Sequence, residues 1–573
     1  MKKNFTGTRN PIIRRCLPSI LAIVLGLCAL TGCGGSSSGG GAHGSSGKQL
    51  SYEDAETELD ALLTKIRVDE VQDPAMDIYT DEVSVADTLA DISTFPFTVE
   101  GSGEINIEIA APSEFTGESP DDWLNVIAKK FNDSGAKIDG KSVSVTVRKM
   151  ASGEVVTYMT DGGYRPDVYI PSNYALGEML RSEGIGVETL ADRIAGNTAG
   201  MLIKKDVYDS FKEKYGEATV SSVLEATLAG DLTFAYSNPY TSATGLNILT
   251  AMLYSFDPEN PLSEQASSKL LEYQKKSPPV AYTTGILRTQ AAKGVINAMV
   301  MEEQAYINQP ELKDFVFIPA GIRHDHPVYT FDYVSKDKRA AAELFTEFCL
   351  SDESQKLATE KGFNRRDEYE GQDTGLDGAG YRAAQRVWKK NKNGGRPIIA
   401  VFVADVSGSM EGDPLRSLRE SLVNSSSYIS EDNYVGFVSY SDDVTINLPI
   451  ERFDAKQRAY FSGEVKGLTA RGGTATYDAV LVAARMMLDK KQEVPDAKMM
   501  LFVLSDGEQN RGYNLDRIVP VIEGLNIPVY TIGYNYSDSS ELDELSEINE
   551  AASIKANTED VVNHLRNLFS VEM

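Results

Sequence analysis

Three segments in the last third of the chain carry carboxylates and hydroxyls that together could hold a cation. The first is Asp405-x-Ser407-x-Ser409, which follows directly on the apolar run Ile398 to Ala404. The second is Gly472-Gly473-Thr474, a glycine-rich stretch that opens a helical pattern. The third runs from Met499 to Gly507 and is apolar until it ends in Asp506. One carboxylate and two hydroxyls at spacing two, joined by Thr474 and Asp506, are all hard oxygen donors, which suit Mg2+ or Mn2+ and not a soft metal. Two carboxylates formally balance one divalent ion. Because Mg2+ takes six oxygens, five protein groups leave a position for water or an outside ligand. Helix capping by Asp405 and Ser407 would explain one segment and not three.

An apolar run without alternation suits a strand covered on both faces, as at the centre of a parallel α/β sheet. Such strands deliver ligand-binding residues just past their C-terminal ends, so three of them in one unit converge at one sheet edge. In chain order this DxSxS, Thr, Asp pattern resembles the metal-ion-dependent adhesion site of the von Willebrand factor A (VWA) domain, over about residues 396–573. Ile527 to Asn535 resembles that family's next core strand, and Leu565 to Phe569 the end of its last helix. The resemblance implies that Ser407, Ser409 and Thr474 bind the metal directly, with Asp405 and Asp506 holding it directly or through water. It also implies that a partner protein supplies an Asp or Glu to the open position.

The other end of the chain reads as an address. Lys2, Lys3, Arg9, Arg14 and Arg15 precede an apolar run from Ile20 to Leu30, followed by Leu30-Thr31-Gly32-Cys33. The run is short of the roughly 20 apolar residues that span a bilayer. Its ending resembles a bacterial lipobox, which implies cleavage of residues 1–32 and acylation of Cys33. Gly34 to Gly47 is a flexible Gly/Ser tether. The expected location is the extracytoplasmic side of the cell membrane, held by lipid.

Composition agrees with that address. After cleavage, Cys33 and Cys349 alone remain of the cysteines, so no internal disulfide framework is expected, and Cys349 sits in an apolar helical pattern as a packing residue. A net charge of −28 argues against nucleic acid as a partner and against electrostatic adsorption to anionic lipid.

Between these ends, residues 51–68 form an amphipathic stretch with Leu59, Leu62, Leu63 and Ile66 at helical spacing. From about residue 101 to 370, strand, Ser/Gly loop and helix signals alternate. Strands are expected at Glu104–Ala111, Lys141–Lys149 and Asp167–Ile170. This texture resembles the type 2 periplasmic solute-binding proteins of bacterial importers, two α/β lobes with the ligand between them. That resemblance makes Thr198–Lys205 the crossing into the second lobe and Ala340–Gly362 the paired C-terminal helices.

Loop residues of such a cleft would be Ser113, Thr116, Ser152, Gly153, Ser172, Asn238, Thr241 and Ser242. Helix N-termini behind these loops favour an oxyanion or carboxylate, and a sugar or other polar solute is also compatible. Read as ordinary N-caps, each residue alone would need no ligand. His324 and His326 in Arg-His-Asp-His-Pro read as surface residues, without a third metal ligand beside them. No hydrolase, zincin or P-loop motif is present, so no enzymatic activity is expected.

The expected fold class is therefore α/β: a two-lobed solute-binding-like domain at 101–370, then a Rossmann-like VWA domain at 396–573 with a central mostly parallel sheet. A pre-domain segment (51–100) precedes them, and a short junction (371–395) joins them closely enough for cleft closure to reorient the metal face. The expected function is Mg2+-dependent binding of a protein or cell-envelope ligand. The alternative is a solute receptor for an ABC-type importer, docked through its VWA domain.

Overall fold

The computed structural model describes residues 50–77, 89, 91–276, 278–281, 284–292, 294, 296–507, 509–534, 540–547, 553–556, 565, 569 and 573. The expected signal peptide (1–32), the expected acylation site Cys33 and the Gly/Ser tether (34–47) lie outside these residues. No helix among the described residues is long and apolar enough to cross a membrane.

Helix α1 (Tyr52–Leu63) starts at Ser51, whose hydroxyl accepts from the Asp54 amide. It stops sooner than the leucine spacing suggests, because the chain leaves it for strand β1 (Val68–Glu70). The first lobe is built on β2 (Phe97–Val99), β3 (Ile105–Ala111), β4 (Lys141–Lys149), β5 (Val168–Tyr169) and β6 (Val187–Ala191). The second is built on β7 (Asn197–Lys204), β8 (Phe234–Ser237), β9 (Val280–Ala281), β10 (Ala298–Glu302) and β11 (Phe315–His324). Strand β12 (Val328–Phe331) returns to the first lobe. The first sheet runs β2-β4-β3-β5-β12-β6 and the second β9-β8-β10-β7-β11. Cys349 is buried at the end of helix Lys336–Cys349, where burial pushes its thiol far up, so it packs rather than reacts.

Helix α2 (Gly378–Asn391) belongs to this body and is not a free spacer. Tyr381 Oη donates to Tyr174 Oη at 3.3 Å and Arg382 pairs with Glu183 at 3.2 Å, both in the first lobe. One turn on, Gln385 donates to the Pro239 carbonyl at 2.8 Å and Trp388 Nε1 to Tyr236 Oη at 2.7 Å, both in the second. The helix thus straps the two lobes together, and Lys392 Nζ at its end reaches the Phe569 carbonyl at 3.3 Å.

The C-terminal sheet contains β13 (Ile398–Asp405), β14 (Tyr434–Tyr440), β15 (Val444–Arg452), β16 (Lys498–Ser505), β17 (Val529–Tyr534) and β18 (Ser553–Ala556). Its order is β1-β15-β14-β13-β16-β17-β18. Every residue of β13 is buried, which is why its apolar run shows no alternation. Its neighbours β14 and β16 run parallel to it, and β15 is antiparallel to β14.

The first strand of this order comes from the far side of the solute-binding body. β1 pairs in parallel with β15, Val68 opposite Val444 and Glu70 opposite Ile446. Ala55, Leu59 and Leu62 of α1 are buried in one core with Ile399, Val401 and Val403 of β13. Arg485 holds Glu56 at 3.1 Å, and the Ala75 amide donates to Glu464 at 2.6 Å. The C-terminal domain is therefore built from two stretches of chain, and the solute-binding body is inserted between them.

Candidate metal centre and interlobe seam

Parallel register brings two of the three chemical segments to one edge, and a loop hydrogen bond sets the third beside them. Asp405 lies opposite Tyr440, and Ala404 opposite Leu504, so β13, β14 and β16 end level. Asp506 follows β16 directly. Ser409 Oγ donates to Asp506 Oδ1 at 3.0 Å, and Ser407 Oγ stands 3.0 Å from Ser409 Oγ. The Asp405 carboxylate accepts from the Ser407 amide at 2.8 Å and from Ser505 Oγ at 2.6 Å. The glycine-rich loop adjoins this turn, with the Gly408 amide donating to the Gly472 carbonyl at 3.0 Å. Gly472 has φ +73°, and a Cβ there would stand 2.5 Å from Asp442 Oδ2, so glycine is required.

Thr474 is held from behind by a residue the sequence does not flag. Asn510 Oδ1 accepts from the Thr474 amide at 2.9 Å, and Asn510 Nδ2 stands 3.5 Å from its hydroxyl. Asp442 steadies the same loop by accepting from the Gly473 amide at 3.0 Å and pairing with Arg511 at 3.3 Å. Ser505 is a further supporting group. It sits in the strand-end Leu-Ser-Asp-Gly run, where a reading for ligands picks the aspartate and passes over the serine.

Asp405 is wholly buried and Asp506 half-buried. Burial raises the pKa of both carboxyls, and the nearby Asp506 raises Asp405 further. Among the described residues, no Lys or Arg forms an ion pair with either acid. Two crowded carboxylates without a cationic side chain, with the Ser407 and Ser409 hydroxyls beside them and the Thr474 loop adjoining, form a donor set that fits a hard divalent cation. Among the described residues, no three His, Cys, Asp or Glu side chains cluster for a metal, so hydroxyls are essential to this set.

The solute-binding body has its own polar centre, at the seam between lobes. Ser152 and Ser172 hydroxyls stand 3.2 Å apart, and Ser172 donates to Glu114. The Gly153 amide donates to the Thr241 carbonyl at 3.0 Å, across the seam. A Cβ at Gly153 would stand 2.1 Å from the Tyr240 carbonyl oxygen, so the lobes meet there without room for a side chain. Asn238 is buried beside them with its Nδ2 unpartnered. Ser242 caps helix Ala243–Phe256, accepting from the Gly245 amide. Thr116 is buried, its hydroxyl donating to the Pro112 carbonyl at 2.9 Å, whereas Ser113 is exposed.

The two histidines correct the sequence reading, because both are fully buried. His324 ends β11, its Nε2 3.1 Å from Asn173 Nδ2 and its Nδ1 3.6 Å from Glu302 Oε1. His326 stacks on Phe115 at 4.0 Å and places Nε2 3.7 Å from Glu114. Burial alone would raise the Glu302 pKa, but His324 and the Thr244 hydroxyl outweigh it and hold the carboxyl low. These acids oppose the oxyanion expected from the helix N-termini.

This fold and these sites define a chain with two recognisable domains. Residues 115–364 match the family model of the bacterial extracellular solute-binding protein, and residues 400–569 that of the von Willebrand factor type A domain. Both domains are of classes that typically bind rather than catalyse. The inter-alpha-trypsin inhibitor heavy chain H3 of Bos taurus is 28% identical over 154 residues, spanning 24% of this chain and 17% of that relative. Among solved structures, a von Willebrand factor type A protein from Catenulispora acidiphila is 19% identical with TM-score 0.28, covering 31% of this chain and 43% of that one. Iron-bound HitA from Pseudomonas aeruginosa is 16% identical with TM-score 0.37, covering 51% of this chain and 99% of that one.

Proposed function

We propose that this chain is a lipid-anchored protein of the extracytoplasmic membrane face that recognises a protein or cell-envelope ligand through a Mg2+-dependent site in its VWA domain, without enzymatic activity. The observation that carries the reading is the hydrogen-bonded convergence of Ser407, Ser409 and Asp506 beside buried Asp405 at one sheet edge. Ser407, Ser409 and Thr474, with Asp405 and Asp506, would hold Mg2+ (or Mn2+). When bound, the ion supplies a positive centre for an incoming carboxylate oxygen. The protein's own groups keep the donors fixed: Ser505 orients Asp405, and Asn510 holds the Thr474 backbone. The orphaned polar atoms of the seam support a second role, the holding of a small polar solute between the lobes. In an importer receptor, that solute would be the cargo and the VWA domain the docking module.

Capture on immobilised full-length chain tests the first role. Envelope protein should be retained with Mg2+ and lost with chelator or in Asp405→Ala. Equal retention in all three conditions would remove the metal from the mechanism. The anchor is tested by metabolic labelling with a fatty acid, which wild type should take up and Cys33→Ala should not. Equal labelling of the two would refute lipidation at that residue.

A further inference from the structure

Four carboxylates line the seam between the lobes: Glu114 and Asp121 from the first, Glu302 and Glu303 from the second. Glu303 is matched by Arg366, Nε to Oε1 at 2.7 Å. Among the described residues, Glu114 and Glu302 have His326 and His324 as their ion-pair partners, at 3.7 and 3.6 Å. Asp121 accepts from Gln304 Nε2 at 2.8 Å and has Arg288 within Coulomb reach. Glu114 and Glu302 are close enough to Asp121 to add to the rise that burial gives its carboxyl. The seam therefore concentrates negative charge from both lobes.

A second set of atoms points to a ligand independently of that charge. Asn173, Gln304, His324 and His326 are all at most 1% exposed. Asn173 Oδ1, Gln304 Oε1, His324 Nδ1 and His326 Nε2 each lack a hydrogen-bond partner. Each belongs to a side chain whose other polar end is engaged within the seam or at its wall. Orphaned buried polar atoms cost free energy unless something fills them. The two amide oxygens can only accept, so they require a donor, and the surrounding carboxylates favour a positive one.

We propose that the seam holds a solute through a protonated amine, drawn there by the carboxylates of Glu114, Asp121 and Glu302 and bringing donors to the unpartnered Asn173 Oδ1 and Gln304 Oε1. The proposal rests on the reading of the seam as a solute site and names the class of solute. An ammonium brings three donors and one positive charge, which answers both demands at once. An oxyanion would be repelled by these carboxylates, whereas a protonated amine adds to the attraction that His324 and His326 already offer them. The unpartnered Asn197 and Asn238 Nδ2 atoms supply donors for a hydroxyl or carbonyl elsewhere on that solute.

Isothermal titration of the full chain tests this, with chelator present to silence the metal centre and putrescine, sulfate and glucose as probes. Putrescine should bind saturably at one site. Glu302→Gln and Glu114→Gln should each weaken it about 10-fold or more. The exposed control Glu343→Gln should leave it unchanged, and all variants should keep the wild-type circular dichroism spectrum. Putrescine binding unaltered in both seam variants would reduce the effect to surface attraction by an acidic chain and overturn the proposal. Saturable sulfate or glucose binding without putrescine binding would overturn the amine while leaving a solute site. Absence of binding by all three probes would overturn both.

Discussion

Asp405→Asn is expected to give a folded chain that melts no lower than wild type in chelator yet gains nothing from Mg2+. Asp405 is wholly buried, and its carboxylate accepts from the Ser407 amide and the Ser505 hydroxyl. Asparagine keeps one oxygen for the Ser407 amide, and its new N–H2 can donate to the Ser505 oxygen once that hydroxyl rotates. Burial disfavours the charged form of Asp405, and the neighbouring Asp506 disfavours it further. The neutral amide escapes both penalties, so stability without metal should hold or rise.

Wild type should respond differently. A ligand that binds the native state at about 100 times its dissociation constant adds roughly 2.7 kcal/mol. For a domain of about 150–250 residues that corresponds to a rise of about 5–10 °C in Tm. Differential scanning fluorimetry of both proteins, with Mg2+ and with EDTA, measures the difference. An equal Mg2+ response in the two proteins would place the ion elsewhere, and no response in wild type would remove it altogether.

The parts of this centre that were legible in sequence are those encoded locally. An unbroken apolar run marks a central strand, and the oxygen donors follow it at spacing two. The Gly472-Gly473-Thr474 loop is legible for the same reason, since its glycines mark the turn that carries the hydroxyl. Asn510 and Asp442 were not legible, because each acts on a loop far away in sequence and neither sits in a pattern of its own. His324 and His326 show a different difficulty. Arg-His-Asp-His-Pro is polar throughout, and polarity ordinarily signals surface, yet a seam between two lobes buries polar residues as fully as a core buries apolar ones. Helix α1 was legible as an amphipathic helix from its leucines, but the surface it covers was not. Its partner follows only after the whole solute-binding body, and periodicity gives a face without naming what meets it.

That split construction yields the second large effect. A chain beginning at residue 396 contains the strands and donor loops of the VWA domain but lacks α1 and β1, and it should be markedly unstable. It would uncover the apolar surface met by Ala55, Leu59 and Leu62, and it would leave Val444–Ile446 of β15 as an unpaired edge. Burying a leucine contributes roughly 1.5–3 kcal/mol, so Leu59 and Leu62 together contribute about 3–6 kcal/mol. Domains are stable by only about 5–15 kcal/mol in total. The shortened chain should therefore self-associate and melt on the order of 10 °C lower. A peptide of residues 49–77 added in trans should recover much of that loss. Leu59→Ala in the full chain separates this cause from loss of the solute-binding body, since it removes one buried side chain and leaves every domain in place. It should cost about 2–5 kcal/mol, seen by denaturant unfolding as a lower midpoint of the C-terminal transition. Should the shortened chain and Leu59→Ala both unfold like the parent, the N-terminal segment would be resting on the domain without supporting it.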